Sequence, residues 1–146
     1  MADPAKTILL IEDDSDHELL TIRALRKANI ANEIKIARDG EEALGLLFGD
    51  GEDRLRANPQ VVLLDLKLPK IDGLEVLRRI RENERTRTLP VVILTSSDEE
   101  SDIIRSYRLG VNSYIRKPVN FTEFAEATRQ LGMYWLVLNA CPPSSN

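Results

Sequence analysis

The stretch Val61-Val62-Leu63-Leu64-Asp65 decides the fold, because four apolar residues lead directly into a carboxylate. A run this apolar and partly β-branched is typical of a strand that is covered on both faces, as in a parallel sheet. A charge inside such a strand is costly, so Asp65 is expected at the point where the strand emerges. In open parallel sheets, ligands bind at this edge. The stretch therefore predicts a central buried strand with an acid at the ligand-binding edge.

A second apolar run also ends in acids, since Ile8-Leu9-Leu10-Ile11 leads into Glu12-Asp13-Asp14. Two strands that carry carboxylates to one edge indicate a cation site. The alternative is that these acids only solvate loop ends or cap the next helix, as Asp often does. Taken together with the polar groups described below, the cation site is the favoured interpretation.

Length and composition indicate one globular domain, since the chain has 146 residues, 42% hydrophobic and 30% charged. The net charge of −4 argues against a general nucleic-acid surface. Cys141 is the only cysteine, so no intramolecular disulfide is expected and a reducing compartment is predicted. No apolar run approaches the roughly 20 residues that span a bilayer, and residues 1–6 carry no signal-peptide pattern. We therefore expect a cytoplasmic protein with no membrane attachment.

Strand and helix patterns alternate five times along the chain. Strands are predicted at residues 7–11, 33–37, 61–65, 91–95 and 113–116. Helices are predicted at residues 15–28, 73–83, 99–109 and from Asn120 onwards, and Asp39-Gly40 is a turn and cap before a short helix that runs through Leu47. The apolar positions of the first helix are Leu19, Leu20, Ile22, Ala24 and Leu25. The polar segment 49–58 is a loop or helix extension of uncertain form.

Five strand–helix units predict a parallel sheet, because right-handed crossovers place helices on both of its faces. The expected architecture is a doubly wound α/β sandwich with strand order 2-1-3-4-5. Residues 1–138 are assigned to this domain, and residues 139–146 to a disordered tail.

Polar side chains lie at the ends of four of the predicted strands. They are Glu12 and Asp13 at the first strand, Asp65 at the third, Thr95 and Ser96 at the fourth, and Lys117, followed by Pro118, at the fifth. Carboxylates that crowd together need a cation, since like charges raise each other's pKa. Oxygen ligands favour Mg²⁺, or Mn²⁺, over zinc or copper. The ends of the first and third strands therefore predict a metal site, and the ends of the fourth and fifth strands place hydroxyl groups and a lysine beside it.

This combination of groups suits phosphoryl transfer to a carboxylate. An aspartate such as Asp65 can act as a nucleophile and form an acyl phosphate. The metal and Lys117 would neutralise charge on the oxygens of the transferred group. The hydroxyl of Thr95 could donate to a phosphoryl oxygen and so reposition the loop after the fourth strand, which would be a switch.

The chain resembles the receiver domains of two-component response regulators over about residues 6 to 138. The matching motifs are Ile8-Leu9-Leu10-Ile11-Glu12-Asp13-Asp14, Leu63-Leu64-Asp65-Leu66-Lys67-Leu68-Pro69, Asp72-Gly73, Leu94-Thr95-Ser96, Gly110-Val111 and Tyr114-Ile115-Arg116-Lys117-Pro118. Each motif is weak alone, but their order and spacing are highly specific. The resemblance implies a flavodoxin-like (βα)5 fold and a phosphoacceptor switch in a phosphorelay.

The resemblance also implies a role for each matched residue, beginning with Asp65 as the phosphoacceptor. Asp13 would bind Mg²⁺ directly, Glu12 mainly through water, and Lys67 through its backbone carbonyl. Phosphoryl binding and switching would involve Thr95, Ser96, Lys117 and Tyr114, and the Lys117-Pro118 bond would be cis. Glu12 stands where an aspartate is usual and reaches further, which leaves its exact role open.

Several of these residues have simpler interpretations. Tyr114 could be only a packed strand residue, and Thr95 only a hydroxyl at a strand end. Asp72-Gly73 is interpreted as a turn and helix cap. His17 is the only histidine, and a solvated position on the first helix is favoured over a general base or phosphodonor.

Signal output is expected through protein contacts, because no basic recognition helix follows the receiver. The apolar residues of the segment 131–138 occupy more than one helical face, which indicates an interface. A homodimer through the fourth helix, fifth strand and fifth helix is favoured, with a last turn folded back on the body as the alternative. The interface candidates are Tyr134, Trp135, Val137 and Leu138.

The chain looks most like the single-domain regulators that are paired with bacterial and cyanobacterial phytochromes. Three segments carry this resemblance: residues 131–138, residues 49–58 and the stretch Leu66-Lys67-Leu68-Pro69-Lys70. This resemblance implies a light-regulated sensor histidine kinase as phosphodonor. No enzymatic role is expected beyond self-phosphorylation from a donor and self-dephosphorylation.

Two other functions remain open. A phosphatase of the aspartyl-phosphate class would usually need a carboxylate two residues after Asp65, where Lys67 stands instead. A degenerate receiver would bind its partner without phosphorylation, and the complete set of acids, threonine and lysine argues against it.

Overall fold

The computed structural model describes residues 7–27, 30, 32–52, 54–55, 57–95, 107–111, 113–117 and 122. These residues contain the strands β1 (Ile8–Ile11), β2 (Ile34–Ala37), β3 (Val61–Leu64), β4 (Val91–Thr95) and β5 (Ser113–Arg116), and the helices α1 (Ser15–Lys27), α2 (Gly40–Phe48) and α3 (Gly73–Glu82). Most residues of the predicted helix 99–109 and of the helix predicted from Asn120, and all residues of the tail 139–146, lie outside the described residues. Among the described helices, none has the length and apolarity needed to cross a bilayer.

The five strands form one parallel sheet in the order β2-β1-β3-β4-β5, which confirms the predicted topology. The central strand β3 lies between β1 and β4, with Leu63 level with Leu10 on one side and with Val92 on the other. Parallel strands end at a common edge, so the residues that follow β1, β3 and β5 come together there.

Both faces of the sheet are buried, which explains the continuous apolar runs in β1 and β3. Leu9, Ile11, Val62 and Leu64 belong to a core cluster shared with α2 and α3. Their neighbours Ile8, Leu10, Val61 and Leu63 belong to a second cluster, shared with α1. Side chains along a strand alternate between faces, so a strand covered on both sides is apolar at every position.

The apolar face predicted for α1 is partly wrong. Leu19 is 48% exposed and Leu20 is 44% exposed, while Thr21, Ala24 and Leu25 are buried. Positions 21, 24 and 25 fall on one stripe of the helix. Each residue turns the helix by about 100°, so the two preceding leucines point away from the sheet.

The segment after α2 is attached to two neighbouring elements. Leu55 donates its backbone N–H to the carbonyl of Leu46 in α2 at 2.9 Å. The side-chain amide of Asn58 donates to the carbonyl of Arg85, after α3, at 2.8 Å. The guanidinium of Arg85 in turn lies 5.6 Å from the centre of the Phe48 ring. The described part of the segment 49–58 is therefore a loop held against α2 and the end of α3.

Candidate functional site

Two acids lie level with each other at the carboxyl edge of the sheet. Ile11 is paired with Leu64 across β1 and β3, so Glu12 and Asp65 are the next residues on adjacent strands. The backbone N–H of Asp65 donates to the carbonyl of Ile11 at 3.0 Å. Carboxylate oxygens of Glu12, Asp13 and Asp65 lie within 4.8 Å of one another. The register of the sheet therefore places the three acids in one cluster.

Lys117, which follows β5, brings a positive charge into this cluster. Its ammonium nitrogen Nζ donates to Oδ2 of Asp65 at 2.9 Å and forms an ion pair with Oε1 of Glu12. The three side chains are 6%, 7% and 1% exposed, respectively. Opposite charges that are removed from water interact strongly, so Lys117 stabilises the two buried carboxylates.

The pKa of Glu12 is raised, mainly because its carboxyl group is buried. Burial raises this pKa to about 7, and the hydrogen bond from Lys117 lowers it only partly. The negative charge of Asp65 raises it further. A carboxyl group with this pKa sits where additional positive charge is favourable. The electrostatics of the cluster therefore favour the binding of another cation.

The loop after β3 fixes the Asp65 side chain. Oδ1 of Asp65 accepts the backbone N–H of Lys67 at 3.1 Å, while Oδ2 is bonded to Lys117. Gly73 starts α3 close to the strand end, and a Cβ at this position would lie 2.3 Å from the Asp65 carbonyl oxygen. Asp72 caps α3 by accepting the backbone N–H of Glu75 at 3.0 Å. The predicted turn and cap at Asp72-Gly73 is confirmed.

His17 lies at this site, which the sequence analysis missed. It is on α1, as predicted, but Nδ1 of its ring lies 3.0 Å from Nζ of Lys117, and its side chain is 39% exposed. The two residues are 100 positions apart. No local pattern predicts this contact, because it depends on how α1 packs against the sheet.

The remaining predicted site residues are only partly described. Thr95 is the last residue of β4, at the same edge of the sheet as Asp65, and its side chain is not among the described ones. Tyr114 is in β5, where it pairs with Ile93 of β4, and its half-buried side chain packs against a core cluster. Outside the described residues lie Ser96, Pro118, Tyr134, Trp135, Val137 and Leu138.

The described acids fit a hard divalent cation. Glu12 and Asp65 are buried and Asp13 is exposed at the mouth of the cluster, so the site has both fixed ligands and access to solvent. Carboxylate oxygens with room for water suit Mg²⁺ or Mn²⁺. Such a cation would neutralise charge on a phosphoryl group next to Asp65.

The family to which this chain belongs follows from a comparison with known proteins. The family model described as response regulator receiver domain matches residues 8–129. The chain is a member of the response regulator receiver family. This membership confirms the resemblance seen in the sequence motifs.

Three relatives are similar to this receiver over nearly their whole length. The bacteriophytochrome response regulator AtBRR is 51% identical, with a TM-score of 0.80, over 89% of this chain and 94% of its own. The bacteriophytochrome response regulator RtBRR is 50% identical, with a TM-score of 0.83, over 99% and 87%. Response regulator Rcp1 of Synechocystis sp. is 39% identical over 92% of both chains. Its Mn²⁺-bound structure gives a TM-score of 0.75 at 40% identity, covering 90% of this chain and 94% of that one. The receiver is thus homologous to phytochrome response regulators.

Proposed function

We propose that this receiver is a phosphorylation-dependent switch in which Asp65 accepts a phosphoryl group from a sensor histidine kinase. One observation carries the proposal: the buried Asp65 carboxylate lies 2.9 Å from the Lys117 ammonium and within 4.8 Å of the Glu12 and Asp13 oxygens. A carboxylate oxygen attacks phosphorus, the bond from phosphorus to the donor breaks, and an acyl phosphate forms on Asp65. Water later attacks the acyl phosphate and releases phosphate.

Phosphorylation of this site needs compensation of charge, which the surrounding residues can provide. Lys117 would contact an oxygen of the phosphoryl group, and Mg²⁺ or Mn²⁺ would be held by Glu12, Asp13, Asp65 and the backbone carbonyl of Lys67. The Mn²⁺-bound form of the relative Rcp1 supports a divalent cation in this family. Thr95, Ser96 and Tyr114 are proposed to respond to the phosphoryl group. The Lys117-Pro118 bond is proposed to be cis. These roles, like that bond, are carried over from the sequence analysis.

Intact-protein mass spectrometry after incubation with acetyl phosphate and Mg²⁺ tests the proposal. The wild type should gain the mass of one phosphoryl group, and Asp65→Asn should gain none. Asp72→Asn is the matched control, because Asp72 is an exposed cap of α3 and Asn also caps helices. An unmodified wild type, or an Asp65→Asn protein that is still modified, would contradict the proposal.

The metal ligands are tested separately by Mn²⁺ binding, measured through the electron paramagnetic resonance signal of the free ion. Asp13→Asn should weaken binding because the ion loses a carboxylate ligand. Asp16→Asn makes the same change at an exposed acid in the first turn of α1, outside the cluster, and should bind as the wild type does. Equal effects of the two variants would remove Asp13 from the ligand set.

The phosphodonor is proposed to be a bacteriophytochrome kinase, because AtBRR and RtBRR carry that description. Phosphotransfer from a purified bacteriophytochrome kinase should occur faster than from a sensor kinase without a chromophore. It should also differ between dark-adapted and red-illuminated kinase. Transfer from the second kinase alone would reject the phytochrome partner and leave the chemistry of Asp65 in place.

A homodimer is proposed to form on the face that contains β5. This strand is at one end of the described sheet, and the apolar segment with Tyr134, Trp135, Val137 and Leu138 follows it in the chain. Light scattering should give a dimer for the wild type and a monomer for Trp135→Glu. Leu19→Glu alters an exposed leucine on α1 and should remain dimeric. A monomeric wild type, or dissociation by both substitutions, would reject this interface.

A further inference from the structure

His17 supplies one of three acceptors around the ammonium group of Lys117. Nζ lies 2.9 Å from Oδ2 of Asp65 and 3.0 Å from Nδ1 of His17, and it forms an ion pair with Oε1 of Glu12. A lysine ammonium has three N–H donors and no acceptor. Two hydrogen bonds and one ion pair therefore fix the direction of the ammonium group.

We propose that His17 is a positioning residue, which accepts a hydrogen bond from Lys117 and thereby holds the ammonium group against Asp65. The proposal rests on the function proposed above, in which Lys117 contacts the transferred phosphoryl group. His17 acts through the lysine and neither accepts phosphate nor exchanges a proton with the donor.

The contact with Lys117 sets the tautomer of the His17 ring, since carboxylate oxygens lie 4.0 Å from both ring nitrogens, Oε2 of Glu12 from Nδ1 and Oδ2 of Asp14 from Nε2. Because an ammonium only donates, Nδ1 must accept and the ring proton must be on Nε2. Nε2 lies 4.0 Å from Oδ2 of Asp14. Oδ1 of the same carboxylate accepts the backbone N–H groups of Asp16 and His17 at 2.8 and 3.1 Å. Asp14 therefore caps α1 and also places negative charge on the protonated side of the ring.

Among the three acceptors of Lys117, His17 differs from the two carboxylates. Glu12 and Asp65 are also the candidate metal ligands, so a bound Mg²⁺ competes with Lys117 for their oxygens. Mg²⁺ prefers oxygen over nitrogen ligands, so it does not compete for the imidazole. His17 is thus the acceptor that stays available to Lys117 when the metal is bound, and its effect should persist at saturating Mg²⁺.

A double-mutant cycle on phosphorylation by acetyl phosphate tests this role, at saturating Mg²⁺ and at one fixed pH for all variants. His17→Ala should slow phosphorylation by about two- to tenfold, as expected for one hydrogen bond. His17→Asn can place an amide oxygen near the position of Nδ1 and should restore most of the rate. In a Lys117→Ala protein, His17→Ala should have no further effect.

A second measurement observes the lysine directly and needs no phosphorylation. In protein labelled with ¹⁵N-lysine, the ammonium signal of Lys117 is assigned by its loss in Lys117→Arg. His17→Ala should shift this signal and speed its hydrogen exchange with water, while His17→Asn should resemble the wild type. Leu19→Ala changes an exposed residue of α1 and controls for disturbance of the helix.

The possible outcomes separate this proposal from the proposed function. Equal slowing by His17→Ala in the presence and absence of Lys117, or no slowing in the wild-type background, overturns the positioning role. If the wild type accepts no phosphate, the proposed function fails and the ammonium signal decides alone. A signal that is unchanged in His17→Ala then overturns the positioning role as well.

Discussion

The ammonium nitrogen of Lys117 lies 2.9 Å from Oδ2 of Asp65, although 52 positions separate the two residues in the chain. Asp65 and Lys117 follow the C-terminal ends of β3 and β5. These ends lie close together because only β4 separates the two strands in the sheet. The lysine is thereby buried between Asp65 and Glu12. In the absence of metal, loss of the lysine would leave two buried carboxylates without a cation, which is costly.

Replacing Lys117 by Met should destabilise the metal-free protein by about 3 kcal/mol, because two buried carboxylates lose their cation. Mg²⁺ should restore much of this loss, since a bound cation supplies the missing charge. Urea denaturation with EDTA and with Mg²⁺ measures both effects. Lys27→Met removes a lysine that is exposed at the end of α1, and it should change stability little. If Mg²⁺ stabilised Lys117→Met no more than the wild type, the lysine would not share carboxylates with the metal.

Glu12→Gln should alter how stability depends on pH. Burial raises the folded-state pKa of Glu12 to about 7, from a usual 4.5. The wild type therefore loses stability as the pH rises through this interval, because the folded protein holds a proton that the unfolded chain releases. Gln has no such proton, so the variant should lose less free energy of unfolding between pH 5 and pH 8. Parallel pH profiles of the two proteins, measured by urea denaturation in EDTA, would contradict the raised pKa.

The positions of Glu12 and Asp65 could be predicted from the sequence because parallel strands end at one edge. Apolar runs of four residues, each followed by an acid, gave the strand ends to within one residue. The cap at Asp72 could also be predicted, since Asp before Gly is a local signal. These features depend on short stretches of chain and on general rules for sheets.

The contact between His17 and Lys117 could not be predicted in this way. It depends on the rotation of α1 about its axis, which is set by Thr21, Ala24 and Leu25 where they face the sheet. The spacing of apolar residues in α1 predicts that Leu19 lies on the same buried face, yet Leu19 is exposed. Helix rotation follows from packing of the whole layer, so sequence periodicity alone gives it poorly.

Gly73→Ala should destabilise the receiver by about 2 kcal/mol or more, since close-packed backbone must move. A Cβ at position 73 would lie 2.3 Å from the carbonyl oxygen of Asp65 and 2.6 Å from Cα of Leu66. The strain would reach Asp65, the proposed phosphoacceptor, so phosphorylation by acetyl phosphate should also slow. Thermal denaturation and the phosphorylation assay measure the two effects.

Gly45→Ala is the matched control for this substitution. Gly45 lies inside α2, and a Cβ there would meet no atom within 4 Å. Alanine should stabilise the helix by about 0.5–1 kcal/mol. If both alanine variants had the same stability, close contact at Gly73 would not be what requires glycine.

Arg85→Ala should loosen the segment 49–58 without changing the chemistry of Asp65. The Arg85 guanidinium donates to the carbonyl of Leu47 at 2.6 Å and stacks over Phe48, so it joins the end of α3 to the end of α2. Without it, hydrogen exchange measured by mass spectrometry should speed up in residues 49–58. Arg87→Ala, a change at an exposed neighbour, should leave this segment protected.

Both variants should accept phosphate at the wild-type rate, because Arg85 packs against α2 and not against the acidic cluster. A fall in that rate for Arg85→Ala alone would mean that the segment 49–58 is coupled to the proposed phosphoacceptor, Asp65.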